Sequence, residues 1–390
     1  MTNNGIVIVG GGLAAVRTAE QLRRAEYEGP ITIVSDETHA PYDRPPLSKE
    51  VLRGEVDDVS LKPEEWYADK DITLRLGSAA TGIDAEARIL TLADGSTCDY
   101  DELVIATGLH PRRLPNLPDL DGIRVLRSLD DGRALRAHAA DVSRAVVVGG
   151  GFIGCEVAAS LRARGVEVVL VEPQATPLAS VLGTVIGELV VRLHRSEGVD
   201  VRTGVGLAEV RGSGHVESVV LSDGTELAAD LVILGIGSIP ATGWLADSGI
   251  ACENGVLCDE VGRTSAPHVW AIGDVASWRE TSGHQRRVEH WSNVADQVRV
   301  LVPSILGREV PVVAAVPYFW SDQYDVKIQC LGEPQPGDVV HMAEDDGRRF
   351  LAFYDRDGIV VGVVGAGLPA KVMKVRAAIA AGAPVADLLA

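Results

Sequence analysis

The chain has 390 residues and a formal net charge of −19, with 36 Lys and Arg against 55 Asp and Glu. Such an acidic chain is repelled by nucleic acid and by anionic membrane surfaces, so neither is an expected partner. Hydrophobic residues make up 46% and there are 42 glycines, which suits a globular α/β protein of two or three domains with many tight turns.

The five cysteines, Cys98, Cys155, Cys252, Cys258 and Cys330, are scattered and include no C-x-x-C. They read as reduced thiols, with no zinc or thioredoxin-like motif and no metal site. The opening MTNNGIVIVGGG has no basic n-region and runs straight into an apolar strand, and no apolar run approaches the roughly 18 residues that span a bilayer. The expected location is the cytoplasm.

In chain order, the apolar run Ile6–Val9 predicts a strand, Leu13–Ala25 a helix and Ile31–Val34 a second strand. Leu103–Ala106 predicts another strand, closing on Thr107-Gly108. The proline-bearing stretch Pro111–Pro118 reads as a linker. The pattern then restarts, with a strand at Ala145–Val148, a helix near Ile153–Arg164, a strand at Glu167–Val171 and a last strand at Leu231–Gly235. Short continuous apolar strands alternating with helices predict parallel sheets buried on both faces, and the two halves read as a divergent repeat of βαβ units. Beyond about residue 312 the pattern changes. Pro317–Leu331 and Arg349–Val364 predict antiparallel strands and Ala370–Ala381 a closing helix. The expected fold is therefore α/β, with two Rossmann-like dinucleotide-binding domains and a small C-terminal α+β domain.

Each half carries a glycine fingerprint between strand and helix. The first is Gly10-Gly11-Gly12-Leu13-Ala14-Ala15 and the second Gly149-Gly150-Gly151-Phe152-Ile153-Gly154. In this context the first glycine makes the tight turn and the second lets backbone approach a pyrophosphate. The last small residue lets helix and strand pack closely. The phosphates would lie at the helix N-terminus, where free N–H groups and the dipole favour anions. Glu172 ends the strand after the second fingerprint. A carboxylate there can accept hydrogen bonds from the ribose hydroxyls of NAD and would repel a 2′-phosphate, and no Arg or Lys follows in Pro173-Gln174-Ala175. NADH is therefore preferred over NADPH. In the first half, the strand ends in Ser35-Asp36-Glu37. Asp36 is the candidate for the adenosine ribose, with a solvated strand end as the alternative reading of either acidic residue.

Several segments resemble known proteins. Val269-Trp270-Ala271-Ile272-Gly273-Asp274 resembles the second FAD motif of flavoproteins with the pyridine nucleotide-disulfide oxidoreductase fold. Ala106-Thr107-Gly108 resembles their A-T-G motif, and Gly235-Ile236-Gly237 its counterpart on the return. Within that fold, three segments resemble the oxygenase-coupled NADH:ferredoxin reductases of the putidaredoxin reductase and biphenyl dioxygenase ferredoxin reductase type. They are Pro41-Tyr42-Asp43-Arg44-Pro45-Pro46-Leu47-Ser48-Lys49, Arg287-Val288-Glu289-His290-Trp291 and the run from Pro317 to Asp325, PYFWSDQYD. Disulfide reductases of this fold carry a redox-active cysteine soon after the first βαβ unit. Here Pro41–Leu52 has none, and electrons must leave to an external acceptor.

The resemblance implies an FAD-binding domain at 1–110 and 237–312, an NAD-binding domain at 111–236 and a C-terminal domain at 313–390. It implies NADH as hydride donor, FAD as converter from two electrons to one, and a 2Fe–2S ferredoxin, serving an oxygenase, as acceptor. It places Lys49 and Glu156 beside the flavin N5, Asp274 on the ribityl chain and Arg44 at the FAD pyrophosphate. Glu289 and His290 are further FAD-binding candidates, and Trp291 and Trp320 either flank the isoalloxazine or are plain core. Arg286, Arg287, Arg308, Lys371, Lys374 and Arg376 form an expected basic docking face for an acidic partner. The alternatives are a rubredoxin or small-molecule acceptor, or a redox-signalling flavoprotein. A monomer or weak homodimer is expected.

Overall fold

The computed structural model describes residues 4–280, 283–311 and 316–389. It forms two compact units. One comprises residues 1–43, 58–110 and 239–315, the other residues 44–57, 111–238 and 316–390. The expected domain boundary at 312–313 lies outside the described residues.

In the first unit, Ile6–Val9 is apolar throughout and buried at every position, so it can only be a central strand. It pairs in parallel with Ile31–Val34 on one side and Glu102–Ile105 on the other. Val269–Ala271 and Ile72–Arg75 complete a five-stranded parallel sheet. The helices Leu13–Arg24 and Asn293–Ile305 cover one face, with Ala15, Leu22, Val298 and Leu301 against Ile8 and Val104. The other face packs Val7 and Leu103 against Leu90, Leu92 and Tyr100 of a small antiparallel sheet (Ala80–Asp84, Ile89–Leu92, Thr97–Asp99).

The second unit repeats the plan. Arg144–Val148 pairs in parallel with Glu167–Glu172 and with Leu231–Leu234, and Asp200–Thr203 and Ile123–Arg124 form the edges. A three-stranded antiparallel sheet (Leu207–Gly212, Val216–Leu221, Glu226–Ala228) again covers one face, through Val219 and Leu221 on Val146 and Val232. Neither small sheet is visible as strands in the sequence, because their residues are only half buried and their apolar pattern is short.

The same unit carries a five-stranded antiparallel sheet, in the order Tyr318–Gln323, Val326–Gly332, Ile359–Ala366, Phe350–Arg356, Val339–Asp345. Phe319, Ile328, Phe350 and Tyr354 share a core with Val147, Cys155, Leu182 and Ile186. Along Tyr318–Gln323 the side chains alternate: Phe319, Ser321 and Gln323 point into that core, while Tyr318, Trp320 and Asp322 lie on the half-exposed face. The helix Ala179–Ser196 is broken at Gly183 (φ 76°), and Tyr354 donates its hydroxyl to the freed Leu182 carbonyl at 2.9 Å. The expected closing helix Ala370–Ala381 is two short helices, Pro369–Lys374 and Arg376–Ala381, which fold Val372 and Val375 onto Leu331, Leu351 and Val363.

Candidate functional site

Both fingerprints sit at the carboxyl edges of their parallel sheets, where open α/β sheets bind ligands. In the first unit, Gly10 N donates to Val34 O at 2.7 Å and Ala106 N to Val9 O at 2.8 Å. Gly10 has φ +129°, and a Cβ there would stand 2.2 Å from Ala106 O, so only glycine makes this turn. The second unit reproduces the arrangement: Gly149 N donates to Val171 O, Gly235 N donates to Val148 O, and a Cβ on Gly149 would meet Gly235 O at 2.3 Å. The two halves are thus a structural repeat down to single hydrogen bonds.

Gly12 and Gly151 differ from their neighbours: a Cβ on either meets nothing within 4 Å. Their bareness serves no contact inside the protein and leaves room for a ligand to approach the backbone. No side chain caps the helices that start at Leu13 and Phe152, so their first-turn N–H groups face that space. The last fingerprint position differs between the halves. A Cβ on Gly154 would stand 1.9 Å from Gly149 O, whereas the first half accommodates the fully buried Ala15.

Glu172 is buried at the strand end. Its Oε2 accepts from Gly150 N at 2.6 Å and its Oε1 from Gln174 N at 2.8 Å, so the carboxylate fastens the glycine turn and keeps lone pairs for a ribose hydroxyl. Val9 pairs with Val34 as Val148 pairs with Val171, so the register counterpart of Glu172 in the first unit is Ser35. Asp36 lies one residue further on and is exposed. Glu37 accepts from Tyr42 Oη at 2.6 Å.

Gly273 and Asp274 follow the edge strand Val269–Ala271. Gly273 has φ +77°, donates to Gln297 Oε1 at 2.9 Å and lies against Ala14, where a Cβ would come within 3.0 Å. Asp274, Ala106-Thr107-Gly108 and the first fingerprint therefore share one sheet edge. Thr107 Oγ1 donates to Ala241 O at 2.9 Å. The Trp291 indole N–H donates to Asp43 Oδ1 at 2.9 Å, and Glu289 accepts from Arg287 at 2.6 Å. His290 precedes the helix Asn293–Ile305, its carbonyl accepting from Asn293 N.

In the second unit, Lys49 and Glu156 meet. Lys49 Nζ donates to Glu156 Oε2 at 3.1 Å, and the two side chains are 6% and 4% exposed. Glu156 also accepts from Ser48 Oγ at 2.5 Å, Ser321 Oγ at 2.8 Å and Asp322 N at 3.3 Å. A buried carboxylate with four donors, one of them cationic, is held immobile. Ser160 fixes the arrangement from the next helical turn by donating to Ser48 O at 2.7 Å. The sequence reading found the ion pair but not Ser48, Ser160 and Ser321, because single serines far apart in the chain carry no signal. Arg44, near the same segment, donates to Arg127 O at 2.7 Å.

Comparisons with known proteins give the family to which this fold belongs. Residues 4–297 match the family model described as pyridine nucleotide-disulphide oxidoreductase, and residues 318–389 match the reductase C-terminal model. The chain belongs to the pyridine nucleotide-disulphide oxidoreductase family. It is 36% identical to the benzene 1,2-dioxygenase system ferredoxin–NAD(+) reductase subunit of Pseudomonas putida, over 94% of this chain and 90% of that protein. It is 37% identical to the biphenyl dioxygenase system ferredoxin–NAD(+) reductase component of Paraburkholderia xenovorans, over 86% of this chain and 83% of that one. Its fold overlays on the crystal structure of the covalent putidaredoxin reductase–putidaredoxin complex with a TM-score of 0.94 at 34% identity, covering 100% of this chain and 96% of that one.

The residues present fit the flavin and pyridine nucleotide of this family: both cradles leave open the space that a Cβ at Gly12 or Gly151 would fill. The family's thiol chemistry is a different matter. All five cysteines are free, and burial pushes the thiols of Cys155, Cys258 and Cys330 up, away from the reactive thiolate. Cys155 adjoins Glu156, whose charge raises it further. Among the described residues no group of three or more His, Cys, Asp or Glu side chains is placed to hold a metal ion, and no helix is long and apolar enough to cross a membrane.

The expected basic face needs correction. Arg286 pairs with Glu280 at 3.0 Å, Arg287 with Glu289 at 2.6 Å and Lys371 with Glu344 at 2.5 Å, while Arg376 donates to the Val316 carbonyl. Three of the six cations are thus offset by carboxylates of this same chain and give little net field to an approaching partner. Trp320 stands on the half-exposed face of its strand, stacked on Tyr318 with Lys327 over its ring at 5.6 Å.

Proposed function

We infer that the protein is a ferredoxin–NAD(+) reductase, taking hydride from NADH and passing single electrons to a 2Fe–2S ferredoxin that serves an oxygenase. The observation that carries this reading is the buried Lys49–Glu156 pair beside a nucleotide cradle, in a chain whose segment 41–52 has no cysteine. With no thiol to reduce there, the electrons go to an external acceptor. The relatives' names specify that acceptor as ferredoxin.

FAD, when bound, supplies the conversion of a two-electron donor into a one-electron source. The protein's part is to bind, orient and hold charge. Gly10, Gly12, Leu13, Ala14 and Ala15 would receive the FAD pyrophosphate with Arg44, Asp36 the adenosine ribose, and Asp274, with Ala106, Thr107 and Gly108, the ribityl chain. Glu289, His290, Trp291 and Trp320 belong around the isoalloxazine. Gly149, Gly151, Phe152, Ile153 and Gly154 would receive the NADH pyrophosphate, with Gly235, Ile236 and Gly237 lining the same edge. Glu172 would select NADH, since two backbone donors hold its carboxylate at the cradle and its charge opposes a 2′-phosphate. Lys49 would hold a positive charge where reduced flavin is negative, and Glu156 would keep that ammonium ionised in a buried site. On this reading residues 1–110 and 237–312 serve FAD, 111–236 serve NADH and 313–390 form a C-terminal α+β domain. The protein works in the cytoplasm as a monomer or weak homodimer.

The test is an absorption spectrum of the purified protein, anaerobic addition of NADH, then a 2Fe–2S ferredoxin with cytochrome c as reporter. Flavin bands that bleach with NADH, and reporter reduction that requires ferredoxin, are expected. Bleaching without ferredoxin-dependent turnover would move the acceptor to a small molecule, and absence of flavin after reconstitution would overturn the reading.

A further inference from the structure

Behind Glu156 lies a second set of polar groups, three of them buried and the last, Tyr324, half-buried, that the proposed chemistry does not use. His194, on the helix Ala179–Ser196, is 0% exposed. Its Nε2 lies 3.1 Å from Gln323 Oε1 and its Nδ1 2.8 Å from Tyr324 Oη. Gln323, also 0% exposed, donates from Nε2 to Ser321 Oγ at 3.2 Å, and Ser321 Oγ lies 2.8 Å from Glu156 Oε1. Four side chains from three elements thus form one unbroken line from Tyr324 to the carboxylate that holds Lys49.

The direction of every hydrogen in the line follows from its end. An ionised carboxylate only accepts, so Ser321 must donate to Glu156 and accept from Gln323. Gln323 then presents its amide N–H to Ser321 and its carbonyl to His194. A carbonyl only accepts, so His194 carries its proton on Nε2. Its Nδ1 is therefore bare and accepts from the Tyr324 hydroxyl. All four donors point toward Glu156, and such chains polarise one another. Tyr324 itself sits at the hairpin turn with φ +57°, a conformation rare for a bulky residue and held only where surroundings over-determine it.

We propose that His194 is a positioning residue for Glu156: by fixing the Gln323 amide it obliges Ser321 to donate to Oε1, and so keeps the carboxylate turned toward Lys49. This rests on the reading of Lys49 and Glu156 as the charged pair of the reductase site. The imidazole is suited to the task because it stays neutral. Burial pushes its pKa down to about 4, against a smaller opposing effect of the bond to Gln323. A protonated ring would carry a hydrogen on Nδ1 too, so Tyr324 would have to accept from it and no longer donate. The charged groups that face the line are few. Lys49 meets Glu156 directly, Glu197, Arg162 and Arg348 act on the Tyr324 hydroxyl, and the Asp322 side chain is turned away to Lys327 at 2.9 Å. Replacing the ring by an apolar one frees the Gln323 amide to turn over and accept from Ser321, which takes the serine hydrogen off Glu156.

The experiment uses the oxidised, FAD-loaded protein. In ¹⁵N-histidine spectra His194, identified by its loss in His194→Phe, should show a proton on Nε2 alone, unchanged down to about pH 5. In ¹³C-carboxyl glutamate spectra at pH 7, the Glu156 signal, identified by its loss in Glu156→Gln, should move in His194→Phe as Ser321 ceases to donate to Oε1. It should return toward its original value in His194→Gln, whose amide can still donate to Gln323. A proton on Nδ1, titration of His194 near its ordinary value, or a Glu156 carboxyl signal unmoved in His194→Phe would overturn the proposal. Should His194→Phe fail to fold, His194→Gln identifies the ring by the same loss and the tautomer in the unaltered protein decides. Neither spectrum needs NADH or ferredoxin, so failure of the reductase reading shows separately, as flavin that NADH does not bleach.

Discussion

The Lys49 ammonium and the Glu156 carboxylate stand 3.1 Å apart with both side chains almost wholly buried, so each is the other's reason for being charged. Removing one partner strands an uncompensated charge, at a cost of about 3–5 kcal/mol, whereas removing both can be close to neutral. Lys49→Met and Glu156→Gln should therefore each lower stability by about that amount, and the double variant should recover most of the loss. Urea denaturation of the four proteins checks it. If the two losses simply add, the residues are not a coupled pair. The same Lys49→Met change should slow anaerobic flavin bleaching by NADH roughly a hundredfold, as loss of a charge-stabilising group does.

Gly151 and Gly154 are three residues apart in one fingerprint, yet a side chain meets open space at the first and backbone at 1.9 Å at the second. Gly154→Ala should destabilise the protein by about 1–3 kcal/mol or more, through overpacking against Gly149 O. Gly151→Ala should leave the melting temperature unchanged and weaken NADH binding, because its methyl group occupies only the space kept for the pyrophosphate. Thermal melts and NADH titrations of the two variants separate the cases. Equal melting temperatures, or unimpaired NADH binding by Gly151→Ala, would contradict this division.

Glu172 does two jobs with one carboxylate. It holds the turn through Gly150 and Gln174, and it places negative charge where a 2′-phosphate would lie. Glu172→Gln removes the charge but keeps an oxygen that can accept. The ratio of kcat/KM for NADPH over NADH should rise roughly tenfold, equivalent to about 1.4 kcal/mol of relieved repulsion. Steady-state kinetics with both nucleotides read that ratio. A ratio unchanged from the parent would mean that selection for NADH lies in other residues.

The parts legible in the sequence were those with a local signal. Strands such as Ile6–Val9 and Leu231–Leu234 announce themselves as short apolar runs buried on both faces, and each glycine fingerprint compresses turn, strand and helix into six residues. What escaped was non-local or ambiguous. Ser35, not Asp36, is the register counterpart of Glu172, which only pairing with Ile6–Val9 reveals. The closing helix reads as continuous from its apolar period, but it breaks at Val375 so that both pieces can cover a twisted sheet. Three of the six cations read as a docking face, Arg286, Arg287 and Lys371, are spent on Glu280, Glu289 and Glu344, which lie from two to 27 positions away. Ser321, Gln323 and His194 could not be read at all. A serine, a glutamine and a histidine acquire meaning only when strand alternation and a distant helix bring them into line behind Glu156.

The buried His194 also makes stability depend on pH in a defined window. In the unfolded chain its imidazole takes up a proton near the ordinary 6.5, while in the folded protein burial holds the pKa at about 4. Between those values the unfolded state binds more protons, so stability rises with pH there. The contribution is fully present above about pH 6.5, falls as the solution is acidified and is exhausted near pH 4. The full loss is about 3 kcal/mol, since each pH unit across the window costs about 1.4 kcal/mol. Carboxylates elsewhere titrate over part of the same range, so the measurement is a difference. Denaturation midpoints of the unaltered protein and of His194→Phe are compared from pH 7.5 to about 4.5. The unaltered protein should lose stability more steeply over that span, and the gap between the two curves should narrow as pH falls. Parallel curves would show that His194 is as readily protonated in the folded protein as in the unfolded chain.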